Sequence, residues 1–284
     1  MIPPGADRSG SWTGRLLRWF LALVVTLYCG IGGYLYFFQA SMVFHPKKGL
    51  AATPAAWGLT FAEVRFPSGE ESLHGWWIPG SEAGPVVLFF HGNASVISGL
   101  GAHVALLHRL GAGVLLFDYR GYGLSSGVPD EEGIYADALA AWSHLTGVLG
   151  IAKERIVYYG HSLGGGPALW LATRQQPRGM ILEATFLSIP SVGEDRYPYL
   201  PIRLLSRIVF DNLERIRGLR APLLILHSRE DQVIGFHHAR TLFAAAGEPK
   251  RLLETHGSHN TSVNQGGAEV EAGLRAFLEG SASR

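Results

Sequence analysis

The sequence contains a single cysteine among its 284 residues, and this residue, Cys29, lies within an apolar stretch. An intrachain disulfide is therefore excluded, and the cysteine content does not assign the chain to a reducing or an oxidising compartment. Net charge is also nearly absent, because 24 Lys and Arg residues balance 23 Asp and Glu residues. A chain without an overall basic field is not expected to bind nucleic acid.

Motifs for phosphate, dinucleotide or metal binding are lacking as well. The glycine-containing stretch at 118–123 (DYRGYG) does not match G-x-G-x-x-G or G-x-x-x-x-G-K. We interpret it as a tight structural turn in which hydrogen bonds hold Asp118 and Arg120. His237 and His238 are adjacent in the sequence, and we expect them to point apart on a helix. The sequence therefore predicts no metal site.

Charge is absent from one long run near the N-terminus, residues 19–38 (WFLALVVTLYCGIGGYLYFF). A helix of this length measures about 30 Å, which matches the hydrocarbon thickness of a bilayer. Aromatic residues crowd both ends of the run, as expected at the level of lipid headgroups. We predict an N-terminal tail at 1–18 and a single membrane anchor at 19–40. A cleaved signal peptide and a buried core helix are the alternatives.

The basic residues that flank this run indicate its orientation. Arg8, Arg15 and Arg18 precede it, whereas Lys47 and Lys48 follow it. With the amino terminus added, the excess of positive charge favours a cytoplasmic N-terminus. The rest of the chain is then expected on the translocated side of the membrane.

After a linker at 41–60, short apolar runs alternate with helix-like segments. The runs lie at 61–66, 73–78, 85–90, 114–118, 155–160, 179–183, 222–227 and 250–255. The predicted helices lie at about 95–110, 130–148, 163–175, 236–246 and 266–279. No helix separates the first two runs, so they predict an antiparallel pair at one edge. The rest predict an α/β domain at 61–280, a mostly parallel eight-stranded sheet covered by helices on both faces. Residues 186–220 interrupt the alternation.

Residues 160–164 (GHSLG) have the form G-x-S-x-G and stand between a predicted strand and a predicted helix. This context is typical of a nucleophile on a sharp strand-to-helix turn, where neighbouring residues must be small. The following helix directs its N-terminal amides and dipole toward the serine. We predict that Ser162 is the nucleophile; an incidental serine in a glycine-rich turn is the alternative.

A serine nucleophile requires a base and a residue that orients the base. In such sheets the chain order is serine, then acid, then histidine, each in a loop at the same edge. Asp231 follows the seventh predicted strand, and His259 follows the eighth. We predict Asp231 as the acid and His259 as the base. Three rivals remain open at this point, namely Glu230, Glu183 and His256.

An oxyanion needs preorganised N–H donors. We predict the amide of Leu163, next to the nucleophile, and the amide of Asn93, in the loop after the third strand. Gly92 in the same loop allows the backbone to approach a substrate closely. His91 is interpreted as structural.

Together these motifs resemble the α/β-hydrolase superfamily, and in particular its membrane-anchored serine-aminopeptidase-like and Bem-type members. The resemblance rests on FFHGNA at 89–94, DYRGYGLS at 118–125, GHSLGG at 160–165 and GSHN at 257–260. It implies the roles given to Ser162, Asp231 and His259, the oxyanion role of Asn93 and Leu163, no cofactor, and a lid at about 186–220. Ser228 departs from the family pattern, which has glycine three residues before the acid.

The expected activity is hydrolysis of carboxylic esters or thioesters through an acyl-enzyme intermediate. A bilayer anchor favours a lipid-derived or acylated small-molecule substrate, and apolar lid residues offer an acyl pocket unless they only cover the core. An aminopeptidase or amidase, an acyltransferase, and a catalytically inactive membrane-tethered binding protein are the alternatives.

Overall fold

The computed structural model describes residues 12–280. The strands are β1 (Ala62–Ser68), β2 (Glu71–Ile78), β3 (Val86–Phe90), β4 (Gly113–Phe117), β5 (Ile156–His161), β6 (Gly179–Glu183), β7 (Leu223–Ser228) and β8 (Lys250–Thr255). The helices are α1 (Trp12–Val43), α2 (Gly101–Arg109), α3 (Glu131–Ser143), α4 (Gly165–Ala172), α5 (Ile189–Arg196), α6 (Ile202–Leu205), α7 (Asn212–Arg217), α8 (Phe236–Ala245), α9 (Ser262–Gln265) and α10 (Gly267–Gly280).

Within the described range the eight strands form one sheet in the order β1-β2-β4-β3-β5-β6-β7-β8. Strand β2 runs antiparallel to both β1 and β4, and the pairs from β4 to β8 are parallel. The predicted sheet and its antiparallel edge are confirmed. Strand β5, which leads to Ser162, lies inside the sheet between β3 and β6.

Both faces of the sheet are buried, which explains the continuous apolar runs of the parallel strands. Successive residues of β3 alternate between the two faces: Leu88 and Phe90 belong to one core, and Val87 and Phe89 to the other. Helices α3, α4 and α8 cover the first face, and helices α2 and α10 cover the second. Because strands β3 to β8 run parallel to one another, their carboxyl ends lie at the same edge of the sheet, and the loops that follow converge there.

Two predicted helices are interrupted. The segment at 95–110 begins as a 3₁₀ turn at Ile97–Gly99 before α2 starts, and the segment at 130–148 ends as a π-helical turn at His144–Val148. Asp130 fixes the start of α3, since its carboxylate accepts the amide of Gly133 at 2.9 Å.

Helix α1 is longer than the charge-free run and is long and apolar enough to cross a membrane. None of its residues is buried within the fold. Arg15 and Arg18 lie in its first turns, whereas Arg8 and the rest of the predicted tail before Trp12 lie outside the described residues. The segment after α1 contacts the domain, because Phe44 is 3% exposed and packs edge-on against Phe210.

The irregular segment at 186–220 contains the three short helices α5, α6 and α7. A capping box between Ser188 and Ser191 starts α5. The segment is joined to α3 by Glu131, whose carboxylate accepts the amides of Val209 and Phe210 at 2.6 and 2.7 Å. These hydrogen bonds hold the segment at the start of α3, near the carboxyl edge of the sheet.

Candidate active site

Ser162 lies on a strained turn between β5 and α4. Its φ angle is +52°, in the left-handed region that residues other than glycine rarely adopt. The close approach to β3 requires glycine at position 164, because a Cβ there would overlap the carbonyl of Phe90. Strain of this kind persists only where the surrounding structure enforces it, which is common at functional sites.

The structure brings the three residues proposed as nucleophile, base and acid into one chain of hydrogen bonds. The Oγ of Ser162 lies 2.9 Å from Nε2 of His259, and Nδ1 of His259 lies 2.7 Å from Oδ2 of Asp231. All three residues are less than 10% exposed. This geometry allows the imidazole to take the serine proton while the carboxylate holds the ring in the required tautomer.

Asp231 is held as a carboxylate. Its Oδ1 accepts the amides of Val233 and Ile234 at 2.8 and 2.9 Å, while its Oδ2 faces His259. Burial alone would raise the pKa of this carboxyl, but the hydrogen bonds from His259 and from the two amides outweigh burial and lower the pKa below its ordinary value. An ionised carboxylate at this position can stabilise the positive charge that His259 carries once it has taken up a proton.

The rival acids have other partners. Glu230 turns toward the loop after β8, where it accepts the amide of Gly257 at 3.0 Å and contacts His256. Glu183 lies 3.0 Å from Nε2 of His103 and accepts the hydroxyl of Tyr159 at 2.9 Å. His256 pairs with Glu230 and is 75% exposed, whereas the imidazole that contacts Ser162 is that of His259.

The predicted oxyanion donors lie beside Ser162. A Cβ added to Gly92 would stand 3.3 Å from Cβ of Ser162, so this loop passes directly against the nucleophile. Leu163 is the second residue of the 3₁₀ turn Ser162–Gly164 before α4, where the first amides have no acceptor within the helix. The side chain of Asn93 points to the end of α1, and its amide nitrogen donates to the carbonyl of Val43. The oxyanion role of the Asn93 and Leu163 amides stays a prediction.

Sequence reasoning missed two residues whose hydrogen bonds hold the loops of Ser162 and Asn93 in place. The hydroxyl of Thr185 donates to the carbonyl of Ser162 at 2.8 Å, and the hydroxyl of Tyr122 donates to Oδ1 of Asn93 at 2.8 Å. Thr185 comes shortly after β6 and Tyr122 shortly after β4. Their positions after parallel strands were the available signal, since such loops meet at one edge.

His161 is a third residue that the sequence did not single out. Its ring lies between those of His103 and His259, with centroid distances of 5.8 and 5.6 Å. Burial lowers the pKa of His161 to about 4, and the neighbouring histidines act in the same direction while Glu183 opposes them. This imidazole is therefore neutral near pH 7.

The loop after β4 is structural, as predicted from its sequence. Asp118 accepts the amide of Ile97 at 3.0 Å, and Arg120 forms an ion pair of 2.8 Å with buried Asp137. His91 lies 2.8 Å from the carbonyl of Gly92, and burial lowers its pKa. These contacts fix the loops around the serine.

The expectation that His237 and His238 point apart is wrong. Both Nε2 atoms approach Oδ2 of Asp195, at 3.0 and 2.9 Å, because α5 brings this carboxylate over the start of α8. The ligand atoms of Asp195, His237 and His238 lie within 4.8 Å of one another, close enough to share a metal ion. Nδ1 of His238 accepts the amide of Leu187 at 3.2 Å, so Nε2 of His238 carries the proton and would have to lose it to bind a metal. The absence of a metal site stays a prediction.

Comparisons with known proteins agree with this fold. A family model described as serine aminopeptidase, S33, matches residues 81–211. An uncharacterized protein of Mycobacterium tuberculosis is 34% identical over 270 residues, covering 91% of this chain and 93% of its own length. The α/β hydrolase domain-containing protein WAV2 of Arabidopsis thaliana is 32% identical over 254 residues, covering 78% and 82%. The solved Pyrococcus furiosus esterase Pf2001 superposes with a TM-score of 0.69 at 20% identity, covering 84% and 97%.

Proposed function

The chain belongs to the α/β-hydrolase family, and from this premise we propose that it is a serine hydrolase that cleaves carboxylic esters or thioesters. The observation that carries the proposal is the hydrogen-bonded chain from Ser162 through His259 to Asp231, with contacts of 2.9 and 2.7 Å. It lies at the carboxyl edge of the parallel sheet, on a strained serine turn. These are the parts that nucleophilic acyl transfer requires.

The mechanism follows from these contacts. Nε2 of His259 removes the proton of Ser162 as Oγ attacks the acyl carbonyl. The carbonyl oxygen becomes negatively charged, and the amides of Leu163 and Asn93 stabilise it by donating hydrogen bonds. Collapse of the tetrahedral intermediate breaks the bond to the alcohol or thiol, which takes the proton from His259. Water then loses a proton to His259, attacks the acyl-enzyme and releases the acid as Oγ regains its proton.

A lipid-derived acyl substrate fits the architecture best. Helix α1 ends beside the site, because the side chain of Asn93 contacts the backbone of both Val43 and His45. If α1 crosses the membrane, the serine lies close to the bilayer surface and reaches acyl chains without their transfer through water. Arg8, Arg15 and Arg18 before the charge-free run outnumber Lys47 and Lys48 after it, which favours a cytoplasmic N-terminus and a site on the translocated side.

Labelling with a fluorophosphonate probe tests the nucleophile. We expect the full-length protein in detergent to be labelled, and the Ser162→Ala variant to show background labelling and ester turnover lower by about 10⁶-fold. Ser125→Ala is a matched control, because Ser125 is also buried but bonds to the carbonyl of Asp118. Equal labelling of all three proteins contradicts the proposal.

A panel of substrates then tests the reaction class. Short and long acyl esters, acyl thioesters and aminoacyl anilides are compared, with and without a competing alcohol. We expect release of free acid from long-chain esters or thioesters. Cleavage of anilides alone indicates an amidase, and transfer to the alcohol in place of water indicates an acyltransferase.

A further inference from the structure

We propose that the lid tip, defined here as residues 196–208, is itself a membrane-contacting element that lies in the lipid interface beside α1. The inference rests on the proposed membrane anchor, and it goes beyond that proposal by assigning a second lipid-binding surface to the catalytic domain. The partner is the bilayer, recognised through apolar side chains and through arginines that reach the headgroup phosphates.

The first argument is the position of the lid tip along α1. The hydroxyl of Tyr28 donates to the carbonyl of Tyr199 at 3.1 Å, in the middle of the charge-free run. Gln39, just after the run, donates to the carbonyl of Leu205 at 3.0 Å and accepts the amide of Arg207 at 2.7 Å. Eleven residues of helix separate these two contacts, or about 16 Å along the axis. The lid tip therefore lies beside roughly half of the apolar length of α1.

This overlap has a direct consequence for depth. An apolar run of about 30 Å has to lie in the hydrocarbon layer if the helix spans the bilayer. Whatever lies beside the second half of the run then occupies the outer hydrocarbon and headgroup region of the same leaflet. The lid tip cannot keep its contacts with Tyr28 and Gln39 and remain in bulk water.

The second argument is the surface chemistry of the lid tip. Leu204 is 84% exposed, Tyr199 70% and Tyr197 39%, so this one short segment exposes several large apolar or aromatic side chains together. Exposed apolar groups that cluster in this way mark interaction or membrane surfaces. The segment RYPYLPIRLLSRI carries three arginines and no acidic residue. Tyrosine, leucine and arginine together are the composition of an interfacial segment, in which aromatic and basic groups meet headgroups and aliphatic groups enter the acyl layer.

The arginines have partners suited to this location. Arg203 pairs with Glu194 at 2.6 Å, and the guanidinium of Arg207 lies 5.4 Å from the ring centre of Tyr36 on α1. Long basic side chains at this depth extend toward the phosphates while their stems stay apolar. Their presence is therefore consistent with a headgroup-level position.

A cavity between α1 and the lid tip adds a third observation. It has a volume of about 370 Å³ and is almost wholly apolar, and its walls include Cys29, Gly32, Pro201 and Leu205. An apolar space open to the side of a membrane helix is filled by an acyl chain at lower cost than by water. The lid tip thus offers lipid both an outer surface and an inner groove.

Fluorescence from a single labelled cysteine measures the depth directly. In the full-length Cys29→Ser background, Leu204→Cys carries an environment-sensitive fluorophore. Glu154→Cys is the matched control, since Glu154 is 72% exposed and precedes β5, at the sheet edge opposite Ser162. Both proteins are reconstituted into vesicles of phosphatidylcholine and phosphatidylglycerol, with and without lipids that carry a nitroxide quencher on the acyl chain.

We expect the label at position 204 to show a blue-shifted emission and strong quenching by the nitroxide lipids, and the label at position 154 to show neither. If the protein floats with the vesicles but both labels behave as in water, the anchor stands and the lid proposal is overturned. If the protein does not float, the anchor proposal fails and the lid proposal fails with it. Fluorophosphonate labelling of the same samples reports separately on Ser162, so a failure of the hydrolase proposal is distinguished from both.

Discussion

Two histidine–carboxylate pairs lie near the same edge of the sheet, and they resemble each other in geometry while differing in what surrounds them. His259 and Asp231 are 2.7 Å apart, and His103 and Glu183 are 3.0 Å apart. All four residues are buried. The second nitrogen of His259 reaches Ser162, whereas Glu183 ends β6 inside a group that includes Tyr159. A buried pair is therefore not sufficient for a catalytic role, because the ring must also face a nucleophile.

The carboxylates are also held differently. Asp231 stands in the loop beyond β7 and accepts two backbone amides, which keep it ionised and fixed in direction. Glu183 is the last residue of its strand, and its side chain points to the face that α2 covers, where His103 lies. Because Asp231 lies in a loop, its carboxylate faces the carboxyl edge of the sheet, where Ser162 lies. Because Glu183 belongs to a strand, its side chain faces the core.

The largest effect that separates the two pairs is expected from Asp231→Asn. An amide N–H at this position donates to Nδ1 of His259 and moves the imidazole proton to Nε2, where it can no longer accept the proton of Ser162. We expect kcat for the preferred ester to fall by about 10⁴-fold, with the folded structure retained. Steady-state ester hydrolysis and the rate of fluorophosphonate labelling measure the effect. A decrease of less than tenfold would show that Asp231 is not the orienting acid.

Acid lability provides a second test, because His161 lies between the two pairs. Its folded pKa of about 4 lies below the ordinary value of 6.5, so the unfolded chain binds the proton more tightly than the folded chain. The associated stability is present above pH 6.5 and is lost as the pH falls from 6.5 toward 4, by up to about 3 kcal/mol. Melting temperatures across this window should therefore decrease steeply.

The His161→Gln variant isolates this contribution. Glutamine does not titrate, so we expect its melting temperature to decline less between pH 6.5 and 4. Burial also lowers the pKa of His91, His227 and His238, so part of the slope remains. Identical pH profiles for the variant and the wild-type protein would show that the pKa of His161 is the same in the folded and the unfolded chain.

The fold was largely predictable from the sequence, for a physical reason. The inner parallel strands are apolar runs bounded by turn residues, and the limits of all eight strands shift by at most two residues between prediction and structure. The chain order of Ser162, Asp231 and His259 also placed these residues at one edge, since parallel strands end together. Sequence patterns were sufficient for the strands and for the order of the site residues, because neighbouring residues along the chain determine both.

What the sequence did not resolve depends on contacts between distant segments. Glu230 and Asp231 are adjacent, and only the path of their loop turns one toward Gly257 and the other toward His259. His237 and His238 converge because Asp195 arrives from the lid. No spacing rule indicates these partners, since each is distant in sequence.

The smallest effect on catalysis is expected at the second pair, with Glu183→Gln. The glutamine side chain keeps an oxygen for the hydroxyl of Tyr159 but loses the charge beside His103, so a buried charge-assisted hydrogen bond is replaced by a weaker one. We expect the free energy of unfolding to decrease by about 1–3 kcal/mol, while kcat stays within about tenfold because His259 retains Asp231. Thermal melting and ester hydrolysis on the same preparation measure the two effects.

Tyr159→Phe is the control for this last substitution, since it removes a hydroxyl donor to Glu183 without changing charge and should shift stability alone. If Glu183→Gln instead abolished turnover with an unchanged melting temperature, the second pair would have a role in the chemistry, and the distinction between the two pairs would be wrong.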